Sequence, residues 1–127
     1  MARLVIASAS YGRYAEEALR RLEEYFGDYR RVVWRSDTSE SEIIGELQGV
    51  QALVLGGTGN VTRRVLEKAS ELYIIARHGI GLDNVDLKAA TEMGIVVTYC
   101  RHTGEEVSVA EHTLAPVSYT HLTLPTN

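Results

Sequence analysis

Cysteine is nearly missing from this 127-residue chain, which has Cys100 and no other. A lone thiol excludes an intrachain disulfide framework and fits a reducing compartment, so a cytoplasmic location is expected. With no base beside it in sequence, Cys100 reads as inert rather than nucleophilic. Long apolar runs are lacking too. No stretch reaches the ~18 residues of a membrane span, and the apolar part of MARLVIASAS at the N-terminus is too short for a secretory leader. Basic charge is in deficit, with 13 Lys and Arg against 17 Asp and Glu and a formal net charge of −4. Nucleic acids and anionic membranes call for the opposite balance, and neither is expected as a partner. No second His or Cys stands at ligand spacing from His112, so no metal site is expected.

What is present is an alternation of short apolar runs and amphipathic stretches in a chain long enough for one domain. Leu4–Ala7 reads as a strand buried on both faces. Ser8, Ser10 and Gly12 form a turn, and Glu16–Phe26 follows as a helix whose apolar positions Ala15, Leu19, Leu22 and Phe26 make one buried stripe. Gly27 stops it. Arg31–Trp34 is the second predicted strand. Ser39 or Ser41 then caps a short helix through Leu47, with Glu42 placed as the capping-box partner of Ser39. Gln51–Leu55 is a third strand and Val61–Ala69 a helix. Tyr73–Ala76, a loop, the helix Asp86–Met93, a Gly94 stop and Ile95–Thr98 complete a βαβ unit. Repeated β-α units with short connections predict an α/β fold, a doubly wound parallel sheet of flavodoxin-like order 2-1-3-4-5. The alternation ends after Tyr99. Glu105–Ala115 is helical by composition, and Pro116 would break it.

Two glycine-bearing loops follow strands, where open α/β sheets place ligands. Gly56-Gly57-Thr58-Gly59-Asn60 matches neither the phosphate-loop pattern nor G-x-G-x-x-G. It is either an anion-holding loop or a plain tight turn. Gly79-Ile80-Gly81 lacks the third glycine of a dinucleotide fingerprint and the acidic residue expected ~20 positions later. What remains is a turn whose successive N–H groups suit a small carboxylate, or a structural turn. His78 reads as a hydrogen-bonded loop residue rather than a base. His112 and Glu111 are adjacent on a predicted helix and face different directions. Arg63, Arg64, Glu67 and Lys68 read as a solvated helix face. A receiver domain would need acidic clusters after the first and third strands, where Ser8-Ala9-Ser10 and Gly56-Gly57 stand.

The string ARHGIGLDNVDLKAATEMGIVVTY followed by VSVAEHTLA resembles the D-isomer-specific 2-hydroxyacid dehydrogenases, including phosphoglycerate dehydrogenase-like members, over Val50 to Ala115. The resemblance implies a flavodoxin-like substrate domain in residues 1–103, an interdomain helix in 104–115, and truncation before the Rossmann NAD domain. It implies that the backbone amides of Ile80 and Gly81, within the Gly79–Gly81 turn, bind a substrate carboxylate, with Gly57 and Thr58 bordering the cleft. Ile80 and Thr113 would approach the cofactor, NAD or NADP. The implied reaction is hydride transfer between a nicotinamide and a small 2-hydroxy or 2-oxo acid, in a parent that is a homodimer. No catalytic residue is expected in this chain, since the family's Arg, Glu and acid-base His fall in the missing part. The isolated fragment is expected to be inactive and to hold no cofactor tightly. Two departures stand out. Members that take phosphorylated substrates carry an Arg in the strand-three loop, where Gly56-Gly57-Thr58 stands, which argues against a phosphohydroxyacid. The Asn often found before the interdomain helix has no counterpart beyond Glu105. The tail PVSYTHLTLPTN (residues 116–127) departs from the family continuation and reads as non-native. The alternative to the dehydrogenase reading is a stand-alone flavodoxin-like module binding an anion or nucleotide through Gly56–Asn60.

Overall fold

A computed structural model describes residues 2–101. The chain alternates through β1 (Leu4–Ala7), α1 (Glu16–Phe26), β2 (Tyr29–Arg31), α2 (Glu40–Glu46), β3 (Ala52–Leu55), α3 (Arg63–Lys68), β4 (Ile74–Arg77), α4 (Leu87–Glu92) and β5 (Val96–Tyr99). The five strands form one sheet in the order β2-β1-β3-β4-β5, every pair parallel. This is the predicted doubly wound order. The two central strands, β1 and β3, are buried along their whole length, as their unbroken apolar runs require.

The sheet faces are unequal. One carries the larger core, in which Val5, Leu53, Leu55 and Ile75 meet Ile43 and Leu47, Val65 and Leu66, and Ala89 and Ala90 from the three helices α2, α3 and α4. The other has Leu4, Ile6, Ala52 and Val54 under α1 alone. Here the predicted buried stripe is corrected, for no residue of α1 is fully buried. Leu19, Leu22 and Phe26 are only partly covered as they pack on that face, because among the described residues α1 has no neighbouring helix to close its flanks.

The cap predicted at Ser39 is present, whereas α3 starts at Arg63 rather than at the predicted Val61. Ser39 accepts a hydrogen bond from the Glu42 N–H while the Glu42 carboxylate accepts from the Ser39 N–H, a complete capping box. Thr62 and Asp86 cap α3 and α4 by accepting from the Val65 and Ala89 N–H groups, without the return bond of a box, each satisfying an amide the helix cannot. The second strand is displaced from the predicted Arg31–Trp34 to Tyr29–Arg31, in register with Leu4, Val5 and Ile6. Val32 keeps one more bond, from its N–H to the Ile6 carbonyl at 3.0 Å. The chain then leaves the sheet and seats Trp34 in the larger core, 4% exposed. Apolar character at residues 32–34 thus serves loop packing rather than a ladder, and the edge strand itself is polar.

β3 ends against β1. The Gly56 N–H donates to the Ala7 carbonyl at 2.9 Å. A β-carbon at Gly56 would stand 2.9 Å from that carbonyl oxygen and 3.1 Å from the Ser8 Cα. Both obstacles are backbone, so neither can swing aside. Gly56→Ala is therefore expected to lower unfolding stability by about 1–3 kcal/mol, the usual range for overpacking. Urea unfolding checks this, and an unchanged midpoint would show that the two strands part freely.

Candidate active site

The C-terminal ends of β1, β3 and β4 stand side by side, since Ala7 pairs with Leu55 and Leu55 with Arg77. The loops leaving them are therefore neighbours, at the end of the sheet where such folds bind ligands. Parallel register alone brings together residues that are separated by up to 70 positions. Ser8 Oγ is hydrogen-bonded to His78 Nδ1 at 2.9 Å, and the Tyr11 ring meets the His78 ring edge-on at 5.2 Å. His78 is thus the hydrogen-bonded loop residue expected of it.

The Gly79–Gly81 turn is held from both sides. The His78 N–H donates to the Leu55 carbonyl at 2.8 Å, the Gly79 N–H to Arg77 O at 3.1 Å, and the Cys100 N–H to Gly79 O at 2.9 Å. Gly79 has φ +147°, and a β-carbon there would lie 2.6 Å from Arg77 Nη1. Backbone and space both call for glycine. Among the described residues no hydrogen bond engages the amides of Ile80 and Gly81, nor those of Gly57 and Thr58. Gly57 and Gly81 are exposed and Ile80 is half-buried.

Arg77 joins the two glycine loops. Its Nε donates to Asn84 Oδ1 at 3.2 Å and its Nη1 to the His78 carbonyl at 2.6 Å. Nη2 would lie 3.9 Å from a β-carbon on Gly57 and 3.4 Å from one on Gly79. Asn84, 8% exposed, donates from Nδ2 to the carbonyls of Gly56 and Gly59, both at 3.1 Å. Gly57 and Gly79 therefore border one guanidinium. Thr58 is placed differently from its neighbours. Its hydroxyl donates to the Trp34 carbonyl at 2.6 Å, so its main-chain amide is what it offers to the cleft.

A cleft of ≈ 280 Å³ opens beside these loops, lined by Ser8, Ser10, Arg13, Trp34, Gly57 and Thr58 among others. Ion pairing elsewhere displaces two titrations. Arg20 and Arg21 hold the Glu17 carboxyl below the usual carboxylate range, and Glu92 raises Arg63. Neither residue lines the cleft. Arg63 and Arg64 do more than face solvent, pairing with Glu92 and Glu40, though exposed pairs of this kind contribute little. Thr113, His112 and Glu111, the expected interdomain helix and the tail lie outside the described residues.

Comparison with known proteins identifies the family. A family model for the catalytic domain of D-isomer specific 2-hydroxyacid dehydrogenases matches residues 5–126. The chain belongs to this family. A D-3-phosphoglycerate dehydrogenase of Methanocaldococcus jannaschii is 36% identical over 99 residues, 78% of this chain and 18% of that protein. The chain thus spans less than a fifth of that relative's length. A crystal structure of a Pyrococcus horikoshii protein superposes with TM-score 0.70 at 30% identity, covering 91% of this chain and 32% of the other. An NAD+-bound 3-phosphoglycerate dehydrogenase of Entamoeba histolytica, at 19% identity and TM-score 0.57 over 77% of this chain and 32% of its own, shares the fold.

Sequence reasoning pointed to the glycines and missed Arg77 and Asn84. A cation closing an apolar run marks the end of β4, but nothing in the string DNVD shows that its Asn turns inward. Asn84→Leu would leave the Gly56 and Gly59 carbonyls without their donor and Arg77 Nε without its acceptor. Each orphaned buried group costs about 1–3 kcal/mol, so a loss of about 3 kcal/mol is expected in urea unfolding. A loss under about 0.5 kcal/mol, the range of neutral surface changes, would mean that water replaces the side chain.

Proposed function

We propose that this chain carries the substrate-anchoring domain of an NAD-dependent D-2-hydroxyacid dehydrogenase, whose parent transfers a hydride between a nicotinamide and C2 of a small 2-hydroxy or 2-oxo acid. The observation that carries the reading is the turn at Gly79–Gly81. It ends β4, its Ile80 and Gly81 amides are unengaged among the described residues, and the Arg77 guanidinium stands against it. Two adjacent N–H groups and a nearby cation are complementary to a carboxylate. Gly57 and Thr58 border the bound acid through their amides.

Anchoring the carboxylate fixes where C2 lies, and hydride transfer is steeply sensitive to that placement. The turn does this without rearrangement, since hydrogen bonds already hold His78, Gly79 and Cys100. Bound NAD would supply the hydride acceptor or donor. Ile80, half-buried at the tip of the turn, is the residue of this domain that would flank the nicotinamide, and Thr113 is a second. Among the described residues there is no G-x-G-x-x-G turn to cradle a pyrophosphate. The anchoring domain alone is therefore assigned no turnover, and proton transfer is assigned to the cofactor-bearing part of the parent.

The test is a titration of the isotope-labelled 127-residue chain with D-lactate, followed through backbone amide resonances. The largest shifts are expected at Ile80 and Gly81, with smaller ones at Gly57 and Thr58. A response confined to Gly56–Asn60, reproduced by inorganic phosphate, would replace this reading with that of an anion-binding module.

A further inference from the structure

We propose that the cleft beside the turn receives a second anionic group on the substrate, and that Arg13 is the specificity residue that reads it. This deepens the carboxylate reading above and rests on it.

The first argument is position. Gly57 belongs to both places: it lines the cleft, and it lies against the Arg77 guanidinium that packs on Gly79. An acid anchored by Ile80 and Gly81 thus has the cleft next to it on the β3 side. The cleft holds ≈ 280 Å³, just below the usual range of small-molecule pockets, roughly 300–1,000 Å³. That suffices for a carboxylate or phosphoryl group with a few waters, each about 30 Å³, and is too small for a nucleotide.

The second argument is charge. The chain as a whole has net charge −4, yet no carboxylate lines the cleft and Arg13 does. Among the described residues Arg13 makes no ion pair. The β3 loop, Gly56 to Asn60, offers amides but no cation of its own, and the carboxylate of Asp83 lies beyond the turn, beside Gly81. The opposite wall is Val32, Val33 and Trp34. Apolar surface next to a cation lowers the local dielectric and strengthens its pull on an anion. A guanidinium also matches carboxylate and phosphate oxygens in pairs.

The third argument is rigidity. Arg31 donates to the carbonyls of Ser8 at 3.1 Å and Tyr11 at 2.7 Å, and the Arg13 N–H donates to Ser10 O at 3.1 Å. Ser8 Oγ is in turn hydrogen-bonded to His78 Nδ1 at 2.9 Å. The loop that carries Arg13 is therefore set before a ligand arrives, which reduces the ordering cost of binding.

The experiment titrates the labelled 127-residue chain, at constant ionic strength, with D-lactate, D-malate and D-3-phosphoglycerate. At least one of the two acids that carry a second anionic group is expected to bind about tenfold tighter than D-lactate, with added shifts at Gly57 and at the Arg13 side chain. D-malate or D-3-phosphoglycerate alone showing the gain identifies the second group as carboxylate or phosphate. Arg13→Gln should abolish the advantage, Arg13→Lys should restore part of it, and both should leave D-lactate binding unchanged. If D-lactate shifts Ile80 and Gly81 but the charged acids gain nothing, or keep their gain in Arg13→Gln, this inference falls and the carboxylate reading stands. If none of the acids reaches Ile80 and Gly81, both fall.

Discussion

An amide side chain buried between two loops must satisfy its donors and acceptor locally or cost the fold several unmade hydrogen bonds. Asn84 meets that requirement with three groups: the carbonyls of Gly56 and Gly59 on one loop and the Arg77 guanidinium on the other. The separation of the β3 and β4 loops is set by this one side chain. The backbone around it adds a short parallel bridge, Val61 to Val85, through the Val61 N–H to Asn84 O and the Asp86 N–H to Val61 O. Without that clamp the Gly57 and Gly81 amides would sit on independent loops. With it the two loops are tied to each other.

Arg77 is fixed by the same arrangement, and this bears on its chemistry. Two of its nitrogens are committed, one to Asn84 and one to the His78 carbonyl, while Nη2 is directed toward Gly57 and Gly79. A guanidinium pinned in this way keeps its charge at a set place while retaining hydrogen-bonding capacity. Its demand for room explains Gly79 better than turn geometry alone, because any β-carbon there would meet Nη1. The glycine is there for the arginine as much as for the bend.

How much of this was legible in the sequence depends on which physical signal each part carries. Buried central strands announce themselves as apolar runs, so Leu4–Ala7 and the core of Gln51–Leu55 were read directly. Caps depend on residue pairs three apart, so Ser39 with Glu42 was read too. The edge strand was placed a few residues late because Val32, Val33 and Trp34 are apolar for another reason, lining a cleft and filling a loop. The stripe on α1 was periodic as read, but periodicity reports which residues face inward and not how well they are covered. That depends on neighbouring helices, and α1 has none among the described residues. The glycines of the site were visible as exceptions within strand-loop-helix patterns. Arg77 and Asn84 were not, since their roles exist only once β3 and β4 are paired.

The sheet accounts for why the proposed site would anchor a ligand rather than close over one. Every loop of the site leaves a strand of one parallel sheet, and the two central strands are wholly buried. Parallel neighbours cannot slip by one residue without turning their apolar set to the wrong face. The relative heights of Ser8, Gly56 and His78 are therefore fixed by the core, far more tightly than the loops could fix them alone. A carboxylate held on such a frame has its C2 carbon defined before a reaction partner arrives. In the proposed reaction, motion that excludes water or brings up a hydride donor would come from elements outside this sheet, while the amides proposed to anchor the acid keep their places.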